Sequence, residues 1–266
     1  MGLFSKRKTS YEHKLGLALS GGGTRGIAHI GAFKAFEEAG IKFHYVAGTS
    51  AGSILGALYC ADVPWQTMLD EVKKLRRKDL VDKRFWVGSD SANIANIARI
   101  LLGNTTFEQL HIPFAAVAVD IRTGQEVVLN TGEVAKAVSA SSAVPALFTP
   151  VRIGDMTLVD GGLLNNMPAD VCRNMGAEVV VGVNLSTQRG QGSSSDKLKD
   201  TLFATLAITT RNAMVKGELY SDIIVTPELT AYKNTRLDNI EEMFEEGYRA
   251  ANEKIEQIKE LINIKF

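Results

Sequence analysis

The chain has 266 residues, of which 45% are hydrophobic and 23% are charged, and both fractions are close to those of average globular domains. Its 30 Lys and Arg residues are balanced by 30 Asp and Glu residues, whereas dedicated nucleic-acid-binding proteins usually have a basic surplus. Composition and charge therefore disfavour a largely disordered chain and a nucleic-acid partner. Two cysteines, Cys60 and Cys172, are too few for a disulfide framework and are typical of a reducing compartment.

The N-terminal end is basic but does not have the pattern of a signal peptide. Lys6, Arg7 and Lys8 are followed by an apolar stretch at 15–19 that is too short for one. Apolar stretches elsewhere are broken by Gly, Ser or charge well before the roughly 20 residues of a membrane-spanning helix. We expect a basic tail over 1–13, a single domain over 14–266 and a cytoplasmic location.

Apolar periodicity, together with Gly and Pro breaks, predicts strands that alternate with helices along the chain. The predicted strands are 14–19, 43–47, 114–119, 127–129, 151–153, 156–159, 179–183 and 222–225. The predicted helices are 27–39, 51–61, 64–75, 133–139, 196–218 and 239–262. Such alternation is typical of an α/β fold, in which a mostly parallel central sheet has helices on both faces as three α/β/α layers. Residues 62–110 have few strand signals, and we expect a helical, cap-like excursion there.

A glycine-rich turn follows the first predicted strand and opens the first predicted helix. It consists of Gly21, Gly22, Gly23, Thr24, Arg25 and Gly26. Its spacing fits the dinucleotide fingerprint G-x-G-x-x-G, which also requires an acidic residue at the end of the next strand. The next strand runs into Gly48-Thr49-Ser50 without an acid, which weakens that interpretation. Backbone N–H groups at such a turn can instead hold an anion, including a developing oxyanion, and a turn that only packs tightly is the third interpretation.

A second turn has the sequence G-x-S-x-G, with Gly48, Thr49, Ser50, Ala51 and Gly52 in order. It lies between a predicted strand and a predicted helix, which is the context of a nucleophile elbow. Small residues two positions before and after the serine allow a sharp turn that points its hydroxyl out of the sheet. A helix N-terminus at this position also favours negative charge. The alternative is that the serine is only a helix N-cap.

A nucleophilic serine needs a base, and histidine is its usual partner. The chain has four histidines, and none follows residue 111. A Ser–acid–His order would therefore have to fit within residues 51–111, so a standard triad has little support. The remaining option is a carboxylate that acts directly on the serine.

A third turn offers that carboxylate. Asp160 follows the strand predicted over 156–159, and Gly161 and Gly162 come directly after it. Two glycines let another backbone segment or a substrate approach the acid closely. An Asx turn that caps a hairpin is the alternative interpretation of this Asp-Gly pair.

Taken together, the three turns resemble the motifs of the patatin-like phospholipase family. They occur in the order G-G-G-x-R-G, G-x-S-x-G and D-G-G, and the Ala-Ser-rich segment 140–145 with Pro150 also resembles a family segment ahead of the aspartate. The similarity covers roughly residues 14–229. It implies a Ser–Asp dyad with Ser50 as the nucleophile and Asp160 as the base. It also implies an oxyanion hole in the glycine-rich turn, a mechanism without a metal, and no cofactor.

The resemblance implies hydrolysis of a phospholipid, lysophospholipid or other lipid ester through an acyl-Ser50 intermediate. An acyltransferase would use the same dyad, because it differs only in the acceptor that reaches the acyl-enzyme. A non-catalytic lipid-binding or regulatory module is a further alternative, which the presence of both Ser50 and Asp160 disfavours.

A basic stretch beside aromatic residues suggests a peripheral membrane surface. Residues 73–84 contain seven cationic and two acidic side chains, and anionic membranes attract such segments. The predicted surface residues are Lys73, Lys74, Arg76, Arg77, Lys78, Phe85 and Trp86. The alternative is a solvated helix face with Trp86 in the core. The sequence leaves the oligomeric state open.

Overall fold

The computed structural model describes residues 13–81, 100–186, 197–232 and 239–263. The strands are β1 (Leu15–Leu19), β2 (Tyr45–Thr49), β3 (Phe114–Asp120), β4 (Gln125–Leu129), β5 (Val151–Ile153), β6 (Met156–Asp160), β7 (Val179–Val183) and β8 (Ile223–Val225). The helices are α1 (Ile27–Glu38), α2 (Ala51–Cys60), α3 (Trp65–Val81), α4 (Val134–Ser141), α5 (Ala169–Asn174), α6 (Leu198–Asn212), α7 (Met214–Tyr220), α8 (Ile240–Asn252) and α9 (Ile255–Ile262). Short 3-10 helices lie at Gly23–Gly26, Phe107–Gln109 and Gly161–Leu163.

All eight strands belong to one sheet, in the order β5-β6-β3-β2-β1-β7-β8, with β4 paired to β3. Strands β3, β2, β1, β7 and β8 run parallel to one another. At one end of the sheet, β4 and β6 are antiparallel to β3, and β5 is antiparallel to β6. The predicted α/β fold with a mostly parallel sheet is therefore confirmed.

Apolar side chains cover both faces of the sheet. In β1, Leu15, Leu17 and Leu19 belong to one buried cluster, whereas Ala18 belongs to the other, as the two-residue period of a strand requires. The first cluster includes residues of α1, α2 and α8, and the second includes residues of α5 and Met214 of α7. Helices therefore pack on both faces, as predicted. Within the described residues, no helix has the length and apolar character needed to cross a membrane.

Several element boundaries differ from the predictions. The strand predicted over 43–47 runs from Tyr45 to Thr49, because its pairing with β1 begins at Tyr45. The helix predicted over 196–218 is divided into α6 and α7, since the Ala213 carbonyl accepts a hydrogen bond from the Asn166 N–H instead of continuing one helix. The helix predicted over 239–262 is likewise divided into α8 and α9. Helix α5 was not predicted.

The predicted excursion at 62–110 is described only in part. Helix α3 and the 3-10 helix Phe107–Gln109 lie within it, whereas residues 82–99 are outside the described residues. Most of the predicted basic tail, residues 1–12, is also outside them.

Two strands meet end to end on one edge of β3. The last residue of β2, Thr49, pairs with Val117, and the last residue of β6, Asp160, pairs with Ala118. Strand β4 pairs with the same stretch of β3, and it must occupy the opposite edge because a strand has only two. Strands β2 and β6 therefore share an edge, and their ends lie one residue apart along β3.

Candidate active site

Ser50 occupies a sharp turn between β2 and α2 and has a strained backbone. Its φ of 53° and ψ of −124° lie outside the conformations that residues with a Cβ usually adopt. A Cβ on Gly48 would collide with the carbonyl of Gly52, and a Cβ on Gly52 would collide with the carbonyl of Leu19. The two glycines of the G-x-S-x-G pattern are thus required by close backbone approach.

Hydrogen bonds with two other segments hold this turn, the elbow (residues 48–52), in place. The Ser50 N–H donates to Ser141 Oγ at 3.0 Å, and the Ser141 hydroxyl donates to the Val117 carbonyl at 2.6 Å. Thr49 Oγ1 donates to the Asn165 carbonyl at 2.8 Å, so the loop after Asp160 is tied to the elbow. The segment that begins at Ala140 belongs to the family resemblance, but no sequence pattern predicts that Ser141 supports the serine.

Asp160 is buried beside Ser50, since Thr49 and Asp160 pair with consecutive residues of β3, and the Ser50 side chain lowers the pKa of the Asp160 carboxyl. Its Oδ1 also accepts the Gly162 N–H at 2.8 Å, and only 7% of the residue is exposed. Burial raises the pKa of the Asp160 carboxyl from 3.8 to about 6, although the hydrogen bonds from Ser50 and Gly162 act in the opposite direction. The structure therefore brings the two residues of the predicted dyad together, with a carboxylate more basic than an exposed aspartate.

The glycine turn (residues 21–26) lies against the elbow. A Cβ on Gly21 would be 3.1 Å from the Ser50 Cβ, and a Cβ on Gly26 would be 2.9 Å from the Ala51 Cβ. The Gly21 N–H donates to the Asn166 carbonyl at 3.0 Å, and the Arg25 N–H donates to the Gly22 carbonyl at 3.2 Å. These two N–H groups of the predicted oxyanion hole therefore already have acceptors.

Two neighbouring N–H groups of the same turn are not engaged in this way. Within the described part of the chain, the N–H groups of Gly22 and Gly23 make no backbone hydrogen bond. Gly23 has a φ of 58°, in the left-handed region that favours glycine. The N–H groups of Gly22 and Gly23 are therefore candidates for the predicted oxyanion hole.

The side chain of Arg25 is directed to a different part of the fold. Its Nε and Nη2 donate to the Tyr232 carbonyl at 3.0 and 2.7 Å, and burial lowers the pKa of its guanidinium. The guanidinium thus anchors the glycine turn to the segment that follows β8.

A polar cluster that the sequence did not reveal supports the loop behind the dyad. Asn165 Nδ2 donates to Glu126 at 3.0 Å and to Asp170 at 2.8 Å. Lys216 Nζ lies 2.9 Å from Glu126 and 2.6 Å from Asp170. The cluster joins β4, α5 and α7 to Asn165, whose carbonyl accepts the hydrogen bond from Thr49.

His29 and His44 make hydrogen bonds with backbone groups and not with Ser50. Buried His29 uses Nε2 to contact the Ser20 carbonyl at 2.9 Å, and burial lowers its pKa to about 4. His44 Nδ1 accepts the N–H of Leu15 at the start of β1, at the opposite end of the parallel strands from Ser50. Among the described residues, no group of three or more His, Cys, Asp and Glu side chains is arranged as a metal site.

The predicted basic surface is only partly described. Lys73 lies 3.1 Å from Glu241, and Lys74 lies 2.5 Å from Glu71, so both lysines have acidic partners. Trp65 packs on Phe244, with ring centroids 5.5 Å apart. The side chains of Arg76, Arg77 and Lys78, together with Phe85 and Trp86, are outside what the structure describes.

Sequence comparison finds relatives that are much longer than this chain. An uncharacterized NTE family protein of Mycobacterium tuberculosis is 35% identical over 171 residues, which are 62% of this chain and 29% of that protein. The neuropathy target esterase sws of Drosophila melanogaster is 32% identical over 188 residues, which are 66% of this chain and 13% of that protein. The chain thus spans less than a third of the length of these relatives.

Structure comparison supports the fold. The crystal structure of VipD from Legionella pneumophila matches 95% of this chain and 69% of its own, with a TM-score of 0.54 and 15% sequence identity. The family model described as Patatin-like phospholipase matches residues 17–173, more than half of the chain. That range includes the glycine turn, the elbow and the Asp160 turn (residues 160–162), and the chain belongs to the patatin-like phospholipase family.

Proposed function

We propose that this protein hydrolyses lipid esters, with Ser50 as the nucleophile and Asp160 as the general base. The observation that carries the proposal is the register that places Ser50, on its strained turn, beside the buried carboxyl of Asp160: Thr49 and Asp160 pair with consecutive residues of β3. A nucleophile hydrogen-bonded to a base is the arrangement that covalent catalysis requires. Membership of the patatin-like phospholipase family and the similarity to a named esterase favour an ester of a lipid as the substrate.

The reaction begins when Ser50 Oγ attacks the carbonyl carbon of the ester while Asp160 takes the hydroxyl proton. The resulting oxyanion accepts hydrogen bonds from the N–H groups of Gly22 and Gly23 in the glycine turn. Asp160 then gives its proton to the leaving alcohol, and the carbon–oxygen bond to that alcohol breaks. Water attacks acyl-Ser50, Asp160 takes a proton from the water, and Ser50 leaves with that proton as the fatty acid is released.

The raised pKa makes a carboxylate suitable for this role. A pKa of about 6 leaves Asp160 mostly ionised at pH 7 while making it a stronger base than an exposed aspartate. The oxyanion donors also lower the activation barrier, since removing one such donor from an enzyme typically raises that barrier by about 3 kcal/mol. A general base and two donors together can therefore operate without a histidine.

Two further assignments are part of this proposal. Phospholipids, lysophospholipids and other lipid esters form the proposed substrate class, and the proposed location is cytoplasmic. Contact of the basic surface at 73–86 with an anionic membrane also stays a prediction, and the acidic partners of Lys73 and Lys74 reduce the free charge of its described part.

The test is a panel of fatty-acyl esters and phospholipids assayed with wild type, Ser50→Ala and Ser221→Ala. The control serine directly follows α7, and its hydroxyl donates to the Gly217 carbonyl of that helix. We expect wild type and Ser221→Ala to release fatty acid and to be labelled by a fluorophosphonate, and Ser50→Ala to do neither. Equal hydrolysis by wild type and Ser50→Ala would refute the proposal. Acyl transfer to an added alcohol in preference to water would identify an acyltransferase instead.

A further inference from the structure

The side chain of Asn166 lies between the glycine turn and the Asp160 turn. A Cβ on Gly21 would be 2.5 Å from Asn166 Oδ1, and a Cβ on Gly162 would be 2.9 Å from the same oxygen. Only 2% of Asn166 is exposed. The amide oxygen therefore occupies a buried position where the two turns meet.

Both residues of the dyad are close to this oxygen. The Ser50 Cβ is 3.1 Å from the Cβ position of Gly21, and Asp160 Oδ1 is 3.0 Å from the Cβ position of Gly162. Since Asn166 Oδ1 lies 2.9 Å from that second position, the two oxygens are no further apart than one water molecule can bridge, about 6 Å or two O–H···O bonds. A single water can therefore contact the base and the amide oxygen together.

Three hydrogen bonds fix the Asn166 backbone and the orientation of its amide. Its N–H donates to the Ala213 carbonyl at 3.2 Å, and its carbonyl accepts the Gly21 N–H at 3.0 Å. Its Nδ2 donates to Met214 Sδ at 3.1 Å. A thioether sulfur can only accept, so the NH₂ group must face Met214 and Oδ1 is left on the side of the two turns.

Asn166 Oδ1 is an acceptor that the protein itself does not use. Among the described residues it accepts no hydrogen bond. The partnerless side-chain atoms that are sealed from solvent in this part of the chain are His29 Nδ1, Ser142 Oγ and Asn165 Oδ1. Asn166 Oδ1 is partnerless but is not sealed, so a molecule as small as water can reach it.

Water differs from the other nucleophiles of the proposed reaction because it has two O–H groups. When water attacks acyl-Ser50, one proton goes to Asp160 and the other stays on the attacking oxygen. Because Asp160 and Asn166 are both buried, the second O–H needs an acceptor from the protein. Ser50 and an acceptor alcohol each have a single hydroxyl proton, so their attack leaves no O–H to satisfy.

We propose that Asn166 is a further catalytic residue, whose Oδ1 accepts the second O–H of the water that attacks acyl-Ser50. The inference rests on the proposed function, because it concerns the second half of that reaction. Asp160 takes one proton as the new carbon–oxygen bond forms and returns it to Ser50 Oγ as the acyl–serine bond breaks. The other proton leaves on the fatty acid. Asn166 thereby favours water over an alcohol as the acceptor of the acyl group.

The test measures how the acyl-enzyme divides between water and an alcohol. Wild type and variants hydrolyse a p-nitrophenyl ester of a fatty acid in the presence of 1-propanol, and the ratio of propyl ester to free fatty acid is determined. This ratio does not depend on the fraction of folded enzyme. The initial burst of nitrophenol reports acylation, and a fluorophosphonate counts the reactive Ser50.

The variants are Asn166→Leu, the smaller Asn166→Val and Asn166→Asp, with Asn184→Leu as the matched control. Asn184 is also buried, but it binds Ser186 and Glu218. The leucine and valine variants remove the acceptor, whereas the aspartate variant keeps an oxygen in the same place.

We expect Asn166→Leu and Asn166→Val to keep the nitrophenol burst for each labelled Ser50, because acylation does not need Asn166. Their subsequent steady rate should fall about tenfold or more, since a buried O–H loses its acceptor. The ratio of propyl ester to fatty acid should rise by about the same factor. Asn184→Leu should have the wild-type ratio, and so should Asn166→Asp at a pH high enough to ionise Asp160 beside a second carboxylate.

The outcomes separate this inference from the proposed function. If wild type gives a burst but the ratio is unchanged in Asn166→Leu and Asn166→Val, or rises equally in Asn184→Leu, the inference fails and the proposed function stands. Equal losses of acylation and deacylation, or loss of labelling in both apolar variants, would assign Asn166 a structural role only. If wild type gives neither a burst nor labelling, the proposed function fails and the inference fails with it.

Discussion

Thr49 and Asp160 pair with consecutive residues of β3 from the same edge of that strand. This register explains how Ser50, the residue after Thr49, reaches a carboxylate 110 positions later in the chain. Strands β2 and β6 end at neighbouring positions along β3. The side chains of Ser50 and Asp160 therefore meet without a long loop. Since a shift of one residue along β3 would turn Asp160 to the other face of the sheet, the dyad depends on sheet register as much as on its motifs.

The pH dependence of hydrolysis should report the ionisation of Asp160. The base must be deprotonated, so kcat/KM for a soluble ester should rise with pH and level off above an apparent pKa of about 6. Asp160→Asn should lower kcat/KM by about 10³-fold or more. A profile that is flat from pH 4 to pH 8 would contradict the assignment, as would wild-type activity of the Asn variant.

Two glycines of α2 provide a matched test of the elbow. Gly52→Ala places a methyl group against the backbone carbonyl of Leu19, which cannot move without displacing β1, so we expect a loss of about 3 kcal/mol in stability and of most activity. Gly56→Ala meets side-chain atoms of Leu19 and Phe114 at 3.1 Å, and the gain in helix propensity, about 1 kcal/mol, opposes that crowding. Thermal unfolding and ester hydrolysis separate the two variants. If both variants have the same stability and activity, the elbow does not require a glycine at position 52.

The supporting role of Ser141 can be tested against Ser139 on the same helix. Ser141→Ala leaves the Ser50 N–H without its acceptor, so we expect a loss of about 1–3 kcal/mol in stability. A displaced nucleophile should also lower kcat by roughly tenfold to a hundredfold. Ser139→Ala removes only a bond to the Ala135 carbonyl within α4 and should change both quantities little. If the two variants have indistinguishable kcat values, Ser141 does not position the nucleophile.

The parts of the site that depend on local sequence were predictable, and those that depend on distant contacts were not. The elbow has fixed spacing because a backbone carbonyl lies where the missing Cβ of Gly48 or Gly52 would be. In the glycine turn, side-chain atoms of Asn166, Leu185 and Ala51 lie in the corresponding places. Ser141 and Lys216 gain their roles only when α4 and α7 reach the sheet. No local pattern distinguishes these two residues from an ordinary helical serine and a surface lysine.

Among the secondary-structure elements too, limits set by local sequence were predictable and limits set by distant contacts were not. The strand that becomes β7 has five apolar or glycine residues between polar neighbours, and its limits were predicted to the residue. The break between α6 and α7 at Ala213 depends on a hydrogen bond from Asn166, 47 positions earlier in the chain, and a helical pattern continues across it. The basicity of Asp160 was expected only as a requirement of the mechanism, because its burial is created by the packed fold.

The stability of the protein should depend on pH in a direction that Asp160 determines. Its pKa is about 6 in the folded state and 3.8 as the reference value, so the folded state holds the proton more tightly than the unfolded state. This contribution to stability is fully present below pH 3.8 and is lost as the pH rises through about 6. The total loss, from well below pH 3.8 to well above pH 6, is about 3 kcal/mol.

Asp160→Asn removes this titration while keeping a side chain of the same shape. Its free energy of unfolding, minus that of wild type, should therefore increase by about 2–2.5 kcal/mol between pH 4 and pH 8, because the unfolded state is already more than half ionised at pH 4. Ser50→Ala deletes a hydrogen bond that lowers the pKa of Asp160, so its stability should fall more steeply with pH than that of wild type. Denaturant unfolding of the three proteins at both pH values measures these differences. If the difference in the free energy of unfolding between Asp160→Asn and wild type stays constant over this range, the pKa of Asp160 is not raised in the folded state.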